Sequence, residues 1–404
     1  TLYPLLSEMG MLETFFRTHR YLLEHLGVPV RRALMDEINW RDRLIGIKGS
    51  RGVGKTTFLL QYARENFGMR DRRCLYVNMN HFYFQGHALH EFAGEFVRSG
   101  GQVLLIDQVF KQPRWSQEIR LIYDRYPHLR VVFTGSSVMR LKEENPELCG
   151  LVSSYNLRGF SLREYINIRT GLELRPHGLR EILNRHERIA DEVLAEVNPM
   201  EYFETYLHYG YYPFFLEKTD FTENLLKVMN MMIEVDILHI QQIELKYLCK
   251  IKKLLYLLAT NNACAPNVSQ LATDVATSRA TVMNYIKYLN DARLINMVFR
   301  NEDKFPKKPA RLLMHNTNLM YALAPREHVD RQLLLETFFQ NALWGRHDLA
   351  VGDRRSTFFV DGDQRYRIVT EDVMRRSSDV VYVQGDILKG KDLTIPLWMY
   401  GFLY

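Results

Sequence analysis

The chain has 404 residues, 47% of them hydrophobic and 25% charged, with a formal net charge of +6. That length exceeds one ordinary domain, and the balance matches a globular protein with large cores; two to four domains are expected. No apolar run approaches the roughly twenty residues a membrane-spanning helix needs, and no basic-then-apolar segment opens the sequence.

The mild positive charge is compatible with nucleic acid but does not require it. Cys74, Cys149, Cys249 and Cys264 form no C-x-x-C pair, which argues against a disulfide framework or a zinc site and for a reducing, cytoplasmic setting. His81, His87 and His90 have no carboxylate or cysteine set to complete a metal site and read as ordinary histidines.

In chain order, residues 12–26 place apolar side chains at helical spacing and predict an amphipathic helix beside the domain that follows. Gly49 to Thr57 reads GSRGVGKTT, the phosphate-binding pattern G-x-x-x-x-G-K-[ST]. The apolar run Leu44–Ile47 before it and a helical run from Thr57 to Phe67 after it supply the strand–loop–helix setting that the pattern needs. Gly49, Arg51, Gly52, Val53, Gly54, Lys55, Thr56 and Thr57 are therefore the candidate ATP-binding residues. Backbone N–H groups and the helix N-terminus face the phosphates, Lys55 reaches the β- and γ-phosphates, and Thr56 ligates Mg²⁺. No N-K-x-D guanine signature is present, which favours ATP.

Cys74–Met79 reads as a second strand, His87–Arg98 as a helix, and Val103–Asp107 as a buried strand that delivers a carboxylate to the Mg²⁺ site. Asp107 and Thr56 are thus the expected metal pair, the Walker B and Walker A contributions. Gln108 stands where such ATPases carry Glu. A neutral amide can hold a water but cannot take its proton, so slow hydrolysis is expected. Trp115–Tyr126 suits a helix, and Val131–Ser137 a strand whose tip senses the γ-phosphate or positions water through Ser136, with Thr134 second.

Beyond residue 150 helical periodicity takes over. Residues 201–216 are crowded with aromatics, read as helical core in preference to a base-stacking surface, and Met229, Met231 and Met232 are read the same way. Residues 267–300 have helix-turn-helix patterning: Val282, Tyr285, Ile286 and Leu289 face inward, leaving Arg279, Asn284 and Lys287 for double-stranded DNA. Two strands around Lys304–Lys308 would form a wing. A module that only packs or contacts protein fits the same pattern. The apolar stretch 395–404 demands burial in this chain or a partner.

The fold expected is an α/β P-loop NTPase parallel sheet with a helical lid, a winged-helix domain and a small α+β C-terminal domain, at 1–150, 151–262, 263–326 and 327–404. The segments GSRGVGKTT (49–57), LLIDQ (104–108), FTGSS (133–137), LRGFSLREY (157–165), HYGYYPFF (208–215), SRATVMNYIKYL (278–289), ETFFQNAL (336–343) and PLWMYGFLY (396–404) carry a resemblance. The chain resembles a bacterial, Bacteroidetes-like family of AAA+-type ATPases with a winged helix and a C-terminal domain of unknown function related to restriction-endonuclease folds. The resemblance implies ATP and Mg²⁺ as cofactors, a homo-oligomer, and an Arg finger, for which Arg140 and Arg158 are candidates. It also implies a nuclease site for which Glu336 and Asp361 are present and the E-x-K strand is missing. The functional expectation is an ATPase whose nucleotide state controls assembly or DNA engagement. The alternatives are an ATP-gated oligomerising protein without DNA contact and an ATP-regulated DNA nuclease.

Overall fold

The computed structural model describes residues 3–27, 30–139, 145–217, 220–238, 243–260, 265–301, 308–324 and 326–404, apart from 372 and 374. The chain divides into two compact units after Arg158.

The first unit opens with α1 (Tyr3–Glu24) and α2 (Leu34–Glu37) and then alternates strands and helices: β1 (Leu44–Gly49), α3 (Lys55–Asn66), β2 (Cys74–Asn78), α4 (Leu89–Arg98), β3 (Val103–Asp107), α5 (Trp115–Arg125), β4 (Arg130–Ser136) and β5 (Ser153–Asn156). The strands form one sheet in the order β2-β3-β4-β1-β5, with every pair parallel. β3 is buried at all five positions, as expected of a strand covered on both faces. Because all strands run the same way, their C-terminal ends share one edge, where α/β sheets hold ligands. β4 lies between β1 and β3, so its tip sits between the phosphate loop and the end of β3. β5 pairs with β1, which carries this unit past the expected boundary at 150 to Arg158.

The predicted N-terminal helix is α1. Leu12, Phe15, Phe16, His19 and Leu23 form its buried stripe, at i, i+3, i+4, i+7 and i+11.

The second unit contains α6 (Leu162–Thr170), α7 (Leu179–Glu196), α8 (Met200–Tyr209), α9 (Phe221–Met231), α10 (Leu248–Thr260), α11 (Val268–Asp274) and α12 (Arg279–Asp291). Next come β6 (Ile295–Arg300), β7 (Arg311–Met314), α13 (Thr317–Leu323), α14 (Arg331–Leu343), β8 (Leu349–Val351), β9 (Phe358–Val360), β10 (Gln364–Val369), β11 (Val380–Gln384) and β12 (Thr394–Pro396). The seven strands make one mixed sheet, β12-β11-β10-β9-β8-β6-β7. β6 pairs antiparallel with β7, the hairpin expected of a wing, and also parallel with β8 through Phe299–Ala350 and Arg300–Val351. A single sheet therefore runs across the expected boundary at 326. Most of the basic wing tip, residues 302–307, lies outside the described residues.

Of the aromatic run, Phe203, Tyr206, Tyr211 and Tyr212 are buried in the core, while Tyr202, Tyr209, Phe214 and Phe215 are half-buried; Tyr206 OH donates to Phe160 O at 2.7 Å. Met229 and Met232 are buried too, but Met231 is 42% exposed, because it falls on the outer face of α9. The apolar stretch 397–402 is buried within this unit, and Tyr404 O accepts from Ser161 Oγ (2.7 Å) and Arg163 Nε (2.9 Å). Among the described residues no helix is long and apolar enough to cross a membrane.

Candidate functional site

The phosphate loop is shaped by its glycines. Gly52 (φ 83°) and Gly54 (φ 94°) are left-handed, a conformation that costs an L side chain and suits an anion-binding turn. Gly49 is required by close approach: a Cβ there would meet Leu157 O at 2.4 Å. Gly54 is the N-cap of α3 and offers no side-chain cap, which leaves the first-turn N–H groups to a ligand. Val53 is buried beneath the loop, Arg51 is half-buried, and Thr56 and Thr57 are exposed. Lys55 Nζ donates to Gly49 O and Ser50 O, both at 2.8 Å, which folds the lysine back along the loop it serves. Buried Arg32 braces the loop by donating to Val53 O (3.3 Å) and Arg158 O (2.8 Å).

Asp107 stands at the end of β3 and is 1% exposed. Its Oδ2 accepts from Thr56 Oγ1 at 2.7 Å, from Tyr76 OH at 2.8 Å and from Asn78 Nδ2 at 3.3 Å. Its Oδ1 accepts from the Thr134 hydroxyl. A buried carboxylate is thus held by neutral donors from three elements, a hydrogen-bonded environment that makes its burial tolerable. Burial, with the charge of Asp107 beside it, pushes the Tyr76 phenol well above its ordinary range and keeps it a donor. Thr56 and Asp107 together offer hard oxygen donors beside the loop, a set that fits Mg²⁺.

Gln108 has φ 56°, a left-handed backbone uncommon for a residue with a side chain. Its N–H donates to Thr134 Oγ1 at 2.9 Å. Thr134 therefore ties the end of β3 to the tip of β4. Ser136 is buried in its own turn, where its hydroxyl accepts from Val138 N–H at 3.4 Å. Of the two hydroxyls named from sequence, the second choice makes the contact to Asp107. Of the two arginines named from sequence, Arg158 is buried, and Arg140 lies outside the described residues.

Tyr76 and Asn78 were not anticipated. The signal was available: they stand two apart on β2, hence on one face, and Asn78 is in register with Asp107. What the sequence did not reveal was that β2 and β3 are neighbours.

In the second unit, Arg279, Asn284 and Lys287 are exposed on α12, while Val282, Tyr285, Ile286 and Leu289 are buried. Ser278 caps α12 by accepting from Thr281 N at 3.1 Å. The turn before it has Ala276 at φ 53°, its carbonyl held by Lys250 Nζ at 2.6 Å. Glu336 is buried, ion-paired with Arg311, and accepts from Gln332 Nε2 at 2.9 Å, so both its oxygens are engaged inside the fold. Asp361 pairs with His347 Nδ1 at 2.7 Å and accepts from Asp348 N at 3.0 Å. Among the described residues, no three His, Cys, Asp or Glu side chains gather as a metal site.

Residues 41–166 match the AAA domain family, and residues 200–328 match a domain of unknown function (DUF8612). An uncharacterized protein of Methanocaldococcus jannaschii is 25% identical over 274 residues, which are 65% of this chain and 58% of that protein; the chain thus spans little more than half the length of its curated relative. Among solved structures, the Orc1 protein of Aeropyrum pernix in complex with DNA aligns at 10% identity and TM-score 0.32, covering 78% of this chain and 92% of that one. The C. elegans PCH-2 structure aligns at 12% identity and TM-score 0.24, covering 70% and 67%. With its parallel sheet and phosphate loop, the first unit has the α/β fold of a P-loop NTPase, and over residues 41–166 the chain is similar to AAA domains.

Proposed function

We propose that the chain is an AAA+-type ATPase that binds ATP with Mg²⁺ and uses its nucleotide state to control oligomeric assembly or engagement of double-stranded DNA. The observation that carries this reading is the 2.7 Å contact between Thr56 Oγ1 and Asp107 Oδ2, beside a lysine folded over the loop. The left-handed glycines and the start of α3 bind the phosphates, and Lys55 holds the β- and γ-phosphates. Thr56 and Asp107 would hold Mg²⁺, which would supply positive charge beside the phosphates. Thr134 fixes Asp107 and the backbone of Gln108. The Gln108 amide orients the attacking water but cannot accept its proton, so turnover is slow.

The exposed trio on α12, opposite a buried stripe, favours DNA as the target over assembly alone. The nuclease alternative draws less support, because the Glu336 carboxylate is committed to Arg311 and Gln332. The test is nucleotide binding by calorimetry together with particle mass by light scattering, with and without Mg²⁺-ATP. A chain that binds ATP and changes mass supports the reading. A chain that binds no ATP overturns it.

A further inference from the structure

Among the described residues, β2 is an edge strand of the first sheet, paired with β3 on one side. At that open edge, Tyr76 N–H is taken by a side chain: it donates to His19 Nδ1, on α1, at 3.1 Å. His19 is 2% exposed, and its other nitrogen, Nε2, is buried with no hydrogen-bond partner among the described residues. A buried N–H with no acceptor is a cost that an apolar side chain of similar size would avoid. What the imidazole contributes in return is the acceptor for Tyr76. Burial pushes its pKa down to about 4, so near neutrality it is uncharged, with Nδ1 free of a proton.

The other end of Tyr76 reaches the nucleotide site. Its phenol donates to Asp107 Oδ2 at 2.8 Å and accepts from Asn78 Nδ2 at 3.3 Å. That carboxylate oxygen is the one Thr56 touches. When the Thr56 hydroxyl turns to a metal ion, Tyr76 and Asn78 remain on Oδ2 and Thr134 on Oδ1, so the carboxylate keeps its orientation without Thr56. Groups that orient a metal ligand in this way typically change metal affinity about 10- to 100-fold when removed.

We infer that Tyr76 is a positioning residue for the metal-binding carboxylate Asp107, and that His19 of α1 anchors it by capping the edge of β2. This rests on the Mg²⁺-ATP reading above. It makes α1 part of the site's machinery through the edge of β2: drawing α1 away from β2 would free the Tyr76 backbone and loosen Asp107.

The experiment is a binding titration on the full chain, with a fluorescent ATP analogue in EDTA and then at increasing Mg²⁺. In Tyr76→Phe, which keeps the ring, affinity in EDTA should stay within about twofold of wild type, while the Mg²⁺ concentration at half-maximal effect rises about tenfold or more. His19→Leu should shift the Mg²⁺ midpoint in the same direction, and His19→Asn, which restores an acceptor, should recover part of the shift. If Tyr76→Phe fails to fold, the His19 pair decides by the same readout. An unchanged Mg²⁺ midpoint overturns the inference, as does an equal loss with and without Mg²⁺, which would mean general structural damage. A wild-type chain that binds no nucleotide overturns the nucleotide reading and this inference with it. A wild type with normal Mg²⁺-dependent binding, beside a Tyr76→Phe variant that matches it, overturns this inference alone.

Discussion

Thr56 Oγ1 donates to Asp107 Oδ2 over 2.7 Å, joining the start of α3 to the end of β3 across 51 positions of sequence. On the proposed reading both oxygens would ligate Mg²⁺, and Lys55, one residue from Thr56, would hold the phosphates. Lys55→Ala should therefore weaken ATP binding at least tenfold with or without metal. Thr56→Ala should leave binding in EDTA near wild type and remove the gain from Mg²⁺. Calorimetric titrations under both conditions check the pair, and indistinguishable behaviour of the two variants would contradict the assigned roles.

Gln108 should be the brake on hydrolysis. A positioned general base is worth roughly 10²–10⁴-fold, so Gln108→Glu should raise steady-state ATP turnover about tenfold or more with little change in ATP affinity. Phosphate release under saturating Mg²⁺-ATP measures this. Turnover equal to that of the native chain would show that Gln108 is not limiting.

His19 should make the fold acid-sensitive. Its imidazole is neutral in the folded state, with a pKa pushed down to about 4 by burial, whereas an unfolded histidine titrates near 6.5. The folded chain therefore binds fewer protons than the unfolded chain between those values, so stability falls as pH drops from about 6.5 to about 4. The loss is on the order of 3 kcal/mol. His19→Asn should flatten that part of the profile of melting temperature against pH. A slope identical to wild type would assign the acid sensitivity to other groups.

Lys287, exposed on α12, should meet a phosphate if this helix enters a DNA groove. Lys287→Ala should then weaken duplex binding on all sequences alike and reduce the salt slope by about 1. Asn284→Ala should instead alter the preference among sequences. Fluorescence anisotropy at several salt concentrations separates these outcomes, and an unchanged slope would remove Lys287 from the contact.

Much of the fold was legible because periodicity records burial directly. The stripe of α1, the apolar run of β3 before Asp107 and the inward face of α12 all appear as spacing in the chain. The loop from Gly49 to Thr57 was legible for a different reason: its chemistry is local, since glycine, lysine and threonine act through their own backbone turn. Less visible were relationships that depend on which strand lies beside which. Tyr76 and Asn78 look like ordinary strand residues until β2 is seen next to β3. Thr134 looks like an ordinary strand hydroxyl until β4 is seen to turn it toward Asp107. The parallel pairing of β6 with β8 merges two regions that composition kept apart.

The sequence by itself determined that this protein has a phosphate loop, a carboxylate at the end of a buried strand, and Gln beside it where a base is expected. These follow from residue type and short spacing, which survive without knowledge of neighbours. Only the tertiary structure decided what holds that carboxylate: Thr56, Thr134, Tyr76 and Asn78 from three other elements, with His19 behind Tyr76 at the open edge of the sheet. The physical reason is that a hydrogen bond acts over about 3 Å in space. The residues that make these bonds lie tens of positions apart along the chain, where no period or motif records their meeting.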